Sequence, residues 1–185
     1  MRYILVLAVI SMTVATSLMY SEELALKYVW ASSYAYCQDM PTDECGKAGE
    51  MVKDYGLEVL NFKQVGKYYN FINCVIFKDK KHKEIIVAFS GTQNPAQLTQ
   101  QIVGNLPKSY KLHDIPGAKV LGFFQDNYLK FSDWLEDSID DIGLKTYRLT
   151  FTGHSLGGAL AVHAAMDMFL EEKRPADKMR LYTIG

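Results

Sequence analysis

The sequence has no excess of charge of either sign: 20 Lys and Arg stand against 21 Asp and Glu in 185 residues, a formal net charge of −1. A chain so balanced has no electrostatic reason to hold nucleic acid or a strongly anionic membrane, and neither is expected as a partner. Proline and glycine are scarce, at 5 and 13 residues, and no segment repeats at a solenoid or propeller period. Collagenous, disordered and repeat architectures are therefore excluded. There are only three cysteines, Cys37, Cys45 and Cys74, and neither Cys-x-x-Cys nor His-x-x-x-His spacing occurs. No metal site is expected from such a set. Beyond the first 20 residues no stretch is apolar enough to span a bilayer, so no transmembrane segment is expected there. What remains is a hydrophobic content of 49%, enough to fill the core of one globular domain.

Residues 1–20, MRYILVLAVISMTVATSLMY, place Arg2 before an apolar run from Ile4 to Ile10 and end on the small residues Ala15, Thr16 and Ser17. That pattern predicts a signal peptide over 1–17 and a secreted, extracellular domain over 18–185. The hydroxyls of Ser11, Thr13, Thr16 and Ser17 argue against a membrane anchor, which needs about 20 mostly apolar residues. In an oxidising compartment at least two of the cysteines are expected to pair. Cys37 with Cys45 would close a short loop through Pro41, Thr42 and Asp43, while pairings through Cys74 stay open at this level.

Ser21–Tyr36 begins with a capping residue and two acids and then spaces Leu24, Tyr28, Ala31 and Ala35 as on one face of a helix. Residues 68–91 hold two apolar runs separated by the charged stretch Lys78–Glu84, the pattern of two strands joined by a solvated turn that includes His82. Residues 93–118 read as a loop with one short helix near Leu98, Ile102, Val103 and Leu106. From Phe123 to Ile142 the apolar residues Phe124, Tyr128, Phe131, Leu135 and Ile139 recur every three or four positions, predicting one long amphipathic helix. The final 40 residues alternate strand, helix and strand, which implies parallel pairing and an α/β fold.

Between the strand Tyr147–Thr152 and the helix after it stands Gly153-His154-Ser155-Leu156-Gly157, followed by Gly158. This is the G-x-S-x-G pattern of a nucleophile elbow. A serine on a sharp turn between strand and helix needs strained backbone angles, and glycines on either side let the two elements approach without a Cβ clash. Ser155 Oγ would then stand exposed at the carboxyl edge of the sheet. The Leu156 N–H, in the first turn of the helix, is aimed where it can stabilise an oxyanion. Phe89-Ser90-Gly91-Thr92 ends an apolar strand and offers the Thr92 N–H as a second donor, with its hydroxyl as a third. On residues alone, that turn is equally an ordinary polar turn.

Taken together, the GHSLGG run, the strand and turn VAFSGT ending at Thr92, the Gly122-Phe123 pair opening a helix and the final LYTIG resemble the fungal-type, or class 3, lipase family over about residues 21–185. The resemblance implies an α/β-hydrolase fold, a mostly parallel sheet with flanking helices and incomplete at its C-terminus. It also implies Ser155 as nucleophile, Thr92 and Leu156 as the oxyanion hole, a lid at about 93–107, and ester or lipid substrates met at a lipid–water interface. No cofactor is implied. The family commonly has Arg where this chain has Ser90. In this fold the triad runs serine, acid, histidine, and only 30 residues follow Ser155, so the acid and histidine are expected beyond Gly185. The expected function is that of a secreted serine ester hydrolase; the rival expectation is a non-catalytic lipid-binding or decoy protein. Of the histidines present, His163 lies two helical turns from Ser155, about 12 Å away by helical rise, too far to serve as its base. His154 is expected to take a packing or hydrogen-bonding role, and His82 and His113 belong to upstream loops.

Overall fold

A computed structural model of the protein describes residues 21–38, 45–67, 70–92, 109–111, 119–142, 146–170 and 174–185. The first helix, α1 (Glu22–Tyr34), is capped by the Ser21 side chain accepting from the Leu24 N–H, with Glu22 and Glu23 in the positive first turn. A second helix, α2 (Gly46–Asp54), leads into an antiparallel set of strands, β1 (Leu57–Lys67), β2 (Asn70–Asp79) and β3 (Glu84–Phe89). Two short strands, β4 (Ser109–Lys111) and β5 (Lys119–Leu121), pair with each other apart from the main sheet. They precede helices α3 (Gly122–Tyr128) and α4 (Ser132–Asp141). The chain then forms β6 (Arg148–His154), α5 (Leu156–Leu170) and β7 (Met179–Ile184).

The main sheet has the order β1-β2-β3-β6-β7, antiparallel on the β1 side and parallel from β3 to β7. Its central strand β3, EIIVAF, is buried along its whole length, because both faces are covered. Alternation along the strands sorts the core into two layers. Cys74, Ile76, Ile85, Val87, Phe89, Leu149 and Phe151 face α3, α4 and α5. Val75, Phe77, Ile86 and Ala88 face α1, whose Tyr28, Ala31 and Tyr34, with Ala35 at its C-cap, lie fully or nearly fully buried against them.

Three sequence expectations change. The long helix predicted over 123–142 is two helices, broken at Leu129–Phe131. Tyr128 and Phe131 are three apart, and the Phe131 N–H bonds to the Tyr128 carbonyl in a tighter turn, which lets Phe131 reach the edge of the Phe89 ring while Leu129 turns to solvent. The charged stretch Lys78–Glu84 is only partly a solvated turn: Asp79 ends β2 and Glu84 begins β3, and both are buried. Helix α2 and strand β1 add to the expected elements, and a register shift between Val59 and Asn61 interrupts the alternation that marks a strand. The signal peptide expected over 1–17, the lid expected at 93–107 and His113 lie outside the described residues. Among the described residues, no helix is long and apolar enough to cross a membrane.

Candidate active site

Strands β3 and β6 run parallel and end side by side, Phe89 opposite Gly153, so the turns that follow them emerge at the same edge of the sheet. The turn after β6 is a single residue. Ser155 has φ +56°, in the left-handed region that L-residues rarely occupy, and α5 begins at the next position. Its backbone is held at both ends. The Ser155 N–H donates to the Ile184 carbonyl of β7 at 2.9 Å, and the Ser155 carbonyl accepts from Gly158 N–H at 3.0 Å. The side chain is exposed.

So sharp a reversal requires backbone to touch backbone. A Cβ on Gly153 would lie 2.2 Å from the Gly157 carbonyl oxygen, and one on Gly157 would lie 2.3 Å from the carbonyl oxygen of Phe89. Neither position admits a side chain, so the start of α5 sits directly on the ends of β3 and β6. Leu156, buried, occupies the first position of α5, where no carbonyl lies one turn back to take its N–H. The partial positive charge of the helix N-terminus adds to that donor.

The turn after β3 comes up against the elbow through Gly91. A Cβ there would lie 3.3 Å from the Ser155 Cβ and 2.7 Å from the His154 carbonyl oxygen. Ser155, Leu156 and the Gly91-Thr92 turn, three sites picked out from the sequence, are thus brought together. Ser90 is buried and points inward: its Oγ accepts from the Asn73 N–H at 2.8 Å, and its own N–H donates to the Asn73 carbonyl at 2.9 Å. It anchors the turn to β2.

Tyr36, just past the end of α1, belongs to none of the sequence motifs that mark the site. Its hydroxyl lies 2.8 Å from His154 Nδ1, and a Cβ on Gly91 would meet that oxygen at 2.4 Å. Burial raises the phenol's pKa above its ordinary 10.0, against a smaller lowering by a hydrogen bond from the Gly91 backbone. The only sequence signal is its place next to Cys37, which is disulfide-bonded to Cys45; Cys74 is a buried thiol.

The other two described histidines, His163 and His82, are occupied elsewhere. His163 is buried and stacks on the Tyr128 ring, with centroids 5.8 Å apart. His82 Nδ1 lies 2.7 Å from Asp79 Oδ2 at the opposite end of the sheet. At that end lies a buried ionic cluster: Lys27 Nζ pairs with Asp79 at 3.0 Å and with Glu84 at 2.5 Å, while Tyr28 and Thr150 donate to Glu84 Oε1. For both carboxyls burial is the largest influence and pushes the pKa up. Hydrogen bonds from His82 and Lys27 on Asp79, and from Lys27, Thr150 and Tyr28 on Glu84, outweigh it and leave both below their ordinary values. The cluster ties α1 to the sheet and lies at the far ends of the strands that carry the elbow.

Residues 86–185 match the family described as Lipase (class 3). A lipase of Rhizopus niveus is 29% identical over 165 residues, which cover 86% of this chain and 40% of the relative. The chain therefore spans well under half the length of that relative. A lipase from Rhizopus microsporus var. chinensis superposes with a TM-score of 0.70 at 24% identity, covering 87% of this chain and 56% of that one. The native Rhizomucor miehei lipase propeptide complex gives 0.71 at 25% identity, over 89% and 53%. Those neighbours are lipases of the α/β-hydrolase fold, and the mixed sheet with helices on both faces is part of that fold.

Proposed function

The chain belongs to the class 3 lipase family, and we propose that it serves a secreted serine hydrolase that cleaves carboxylic esters, acylglycerols above all, where lipid meets water. The reading rests on one observation: an exposed serine at φ +56°, on a strand-to-helix turn packed against Gly91. A strained serine costs about 1–3 kcal/mol, and such strain gathers at sites where geometry matters more than stability.

In the proposed reaction Ser155 Oγ attacks the ester carbonyl carbon as a histidine takes its proton. The negative oxygen that forms is met by the N–H groups of Leu156 and Thr92. The histidine returns the proton to the departing alcohol, leaving an acyl-serine, and water repeats the sequence to release the acid. That histidine and its acid partner are assigned to chain following Gly185, in keeping with the order serine, acid, histidine. Residues 1–17 are assigned to export and 93–107 to a lid over the acyl site. No cofactor enters the scheme.

A fluorophosphonate probe tests it. The natural full-length chain is expected to be labelled at Ser155, and Ser155→Ala to abolish the label. A well-folded full-length chain that stays unlabelled while binding lipid saturably would overturn the hydrolase reading in favour of a lipid-binding role.

A further inference from the structure

We propose that Tyr36 is a positioning residue of this site: its hydroxyl ties the turn after β3 to the elbow after β6 and so sets the spacing between the Thr92 and Leu156 donors. The inference rests on the hydrolase reading and adds to it a residue from a distant part of the chain.

The need for a tie follows from the sheet. The β3–β6 ladder ends at Phe89 and Gly153, so the pairing that aligns the two strands stops short of Gly91-Thr92 and of Ser155-Leu156. Two donors that must converge on one oxygen therefore sit on turns beyond the last ladder bond. Tyr36 Oη crosses that gap. It is 2.8 Å from His154 Nδ1 on the elbow, and a Cβ on Gly91 would meet the same oxygen at 2.4 Å, so the hydroxyl packs directly on the backbone of the other turn. With a Gly91 Cβ 2.4 Å from Oη and 3.3 Å from Ser155 Cβ, the hydroxyl stands within about 6 Å of the serine, roughly one water from the reacting atoms.

The tyrosine is itself braced. Asn73 Nδ2 donates to the carbonyls of Ala35 and Cys37, on either side of Tyr36, at 2.9 and 2.8 Å. The Asn73 backbone exchanges hydrogen bonds with Ser90, the residue before Gly91. Cys37 is further held by its disulfide to Cys45. One strand residue thus fixes both the base of the tyrosine and the base of the turn that it meets. In the proposed tie the hydroxyl donates to Nδ1, its nearer partner at 2.8 Å against 3.5 Å for the His154 carbonyl, which requires a neutral imidazole carrying its proton on Nε2.

The test is Tyr36→Phe in the natural full-length chain, which removes the oxygen and keeps the ring. The maximal rate of Ser155 labelling by a fluorophosphonate is expected to fall about tenfold, as for displaced donors rather than lost ones. The half-saturating probe concentration should stay within about twofold. His154→Gln, which keeps an acceptor for the hydroxyl, should retain most of the rate. His154→Leu should lose it and add nothing further on top of Tyr36→Phe. By 15N NMR, the wild type should carry its His154 proton on Nε2. Wild-type labelling with an unaffected Tyr36→Phe rate overturns the positioning role alone, as does a His154 proton found on Nδ1. A wild type that never labels overturns the hydrolase reading and takes this role with it.

Discussion

The Ser155 amide is bonded to the Ile184 carbonyl at 2.9 Å, so the elbow hangs on β7, a strand whose residues were singled out for no part in the chemistry. An amide fixed to the neighbouring strand and a carbonyl already accepting from α5 leave the residue between them no relaxed alternative. The left-handed angle at Ser155 is imposed from outside the turn.

Replacing Ser155 by Gly should therefore stabilise the protein, by about 1 kcal/mol, because glycine occupies positive φ without the Cβ penalty. Ser155→Ala keeps that penalty and should gain far less. Denaturant melts of the two variants decide the point, and equal stability would mean an unstrained turn. Neither variant should react with a fluorophosphonate.

Gly91→Ala should disable the site. Its methyl would meet the Tyr36 hydroxyl at 2.4 Å and, less forgivingly, the His154 backbone carbonyl at 2.7 Å. Overpacking of this kind costs about 1–3 kcal/mol. Parting the two turns by about an ångström should cut the proposed ester hydrolysis about a hundredfold in the full-length chain. Assay and melting curve together check it; undiminished turnover would contradict the close approach.

The ionic cluster makes stability depend on pH. Asp79 and Glu84 are held below their ordinary values of 3.8 and 4.5, so their contribution is complete above those values and is lost as pH falls through the lower folded-state values. Melts between pH 7 and pH 2 should show the decline beginning near pH 4, and Glu84→Gln should flatten it. Lys27→Met leaves two buried carboxylates without their shared cation, at a cost of about 3–5 kcal/mol near neutrality. In that variant mild acid should recover stability, the reverse of the wild type.

Thiol titration reads the cysteines directly. Cys74 is fully buried and its thiol pKa is pushed up by that burial, so the folded protein should show no reactive thiol, the unfolded protein one, and the unfolded, reduced protein three. Replacing Cys37 and Cys45 together with Ser should cost about 2–3 kcal/mol, by release of a short closed loop in the unfolded chain. A reactive thiol in the native state would contradict the pairing.

Much of the frame was legible from neighbouring residues. The GHSLGG run, the buried β3, the capped first helix and the strand-helix-strand ending are encoded in patterns a few positions long, because caps, tight turns and alternation depend on near neighbours. The break between α3 and α4 escaped the same logic: Phe124, Tyr128, Phe131, Leu135 and Ile139 keep their apolar phase across it, and periodicity records the phase and not the axis. Asp79 and Glu84 look like turn residues beside Lys80, Lys81 and Lys83. Their burial depends on distant partners, above all Lys27, 52 and 57 positions away on α1, with Arg180 of β7 also 3.9 Å from Glu84. Tyr36 meets His154 across 118 positions. Local sequence thus settles which turn a serine can occupy, since the backbone's short-range sterics decide that. Which distant hydroxyl, amide or cation stands beside it depends on the order of strands in the sheet and on where α1 lies across them, and those are properties of the assembled chain.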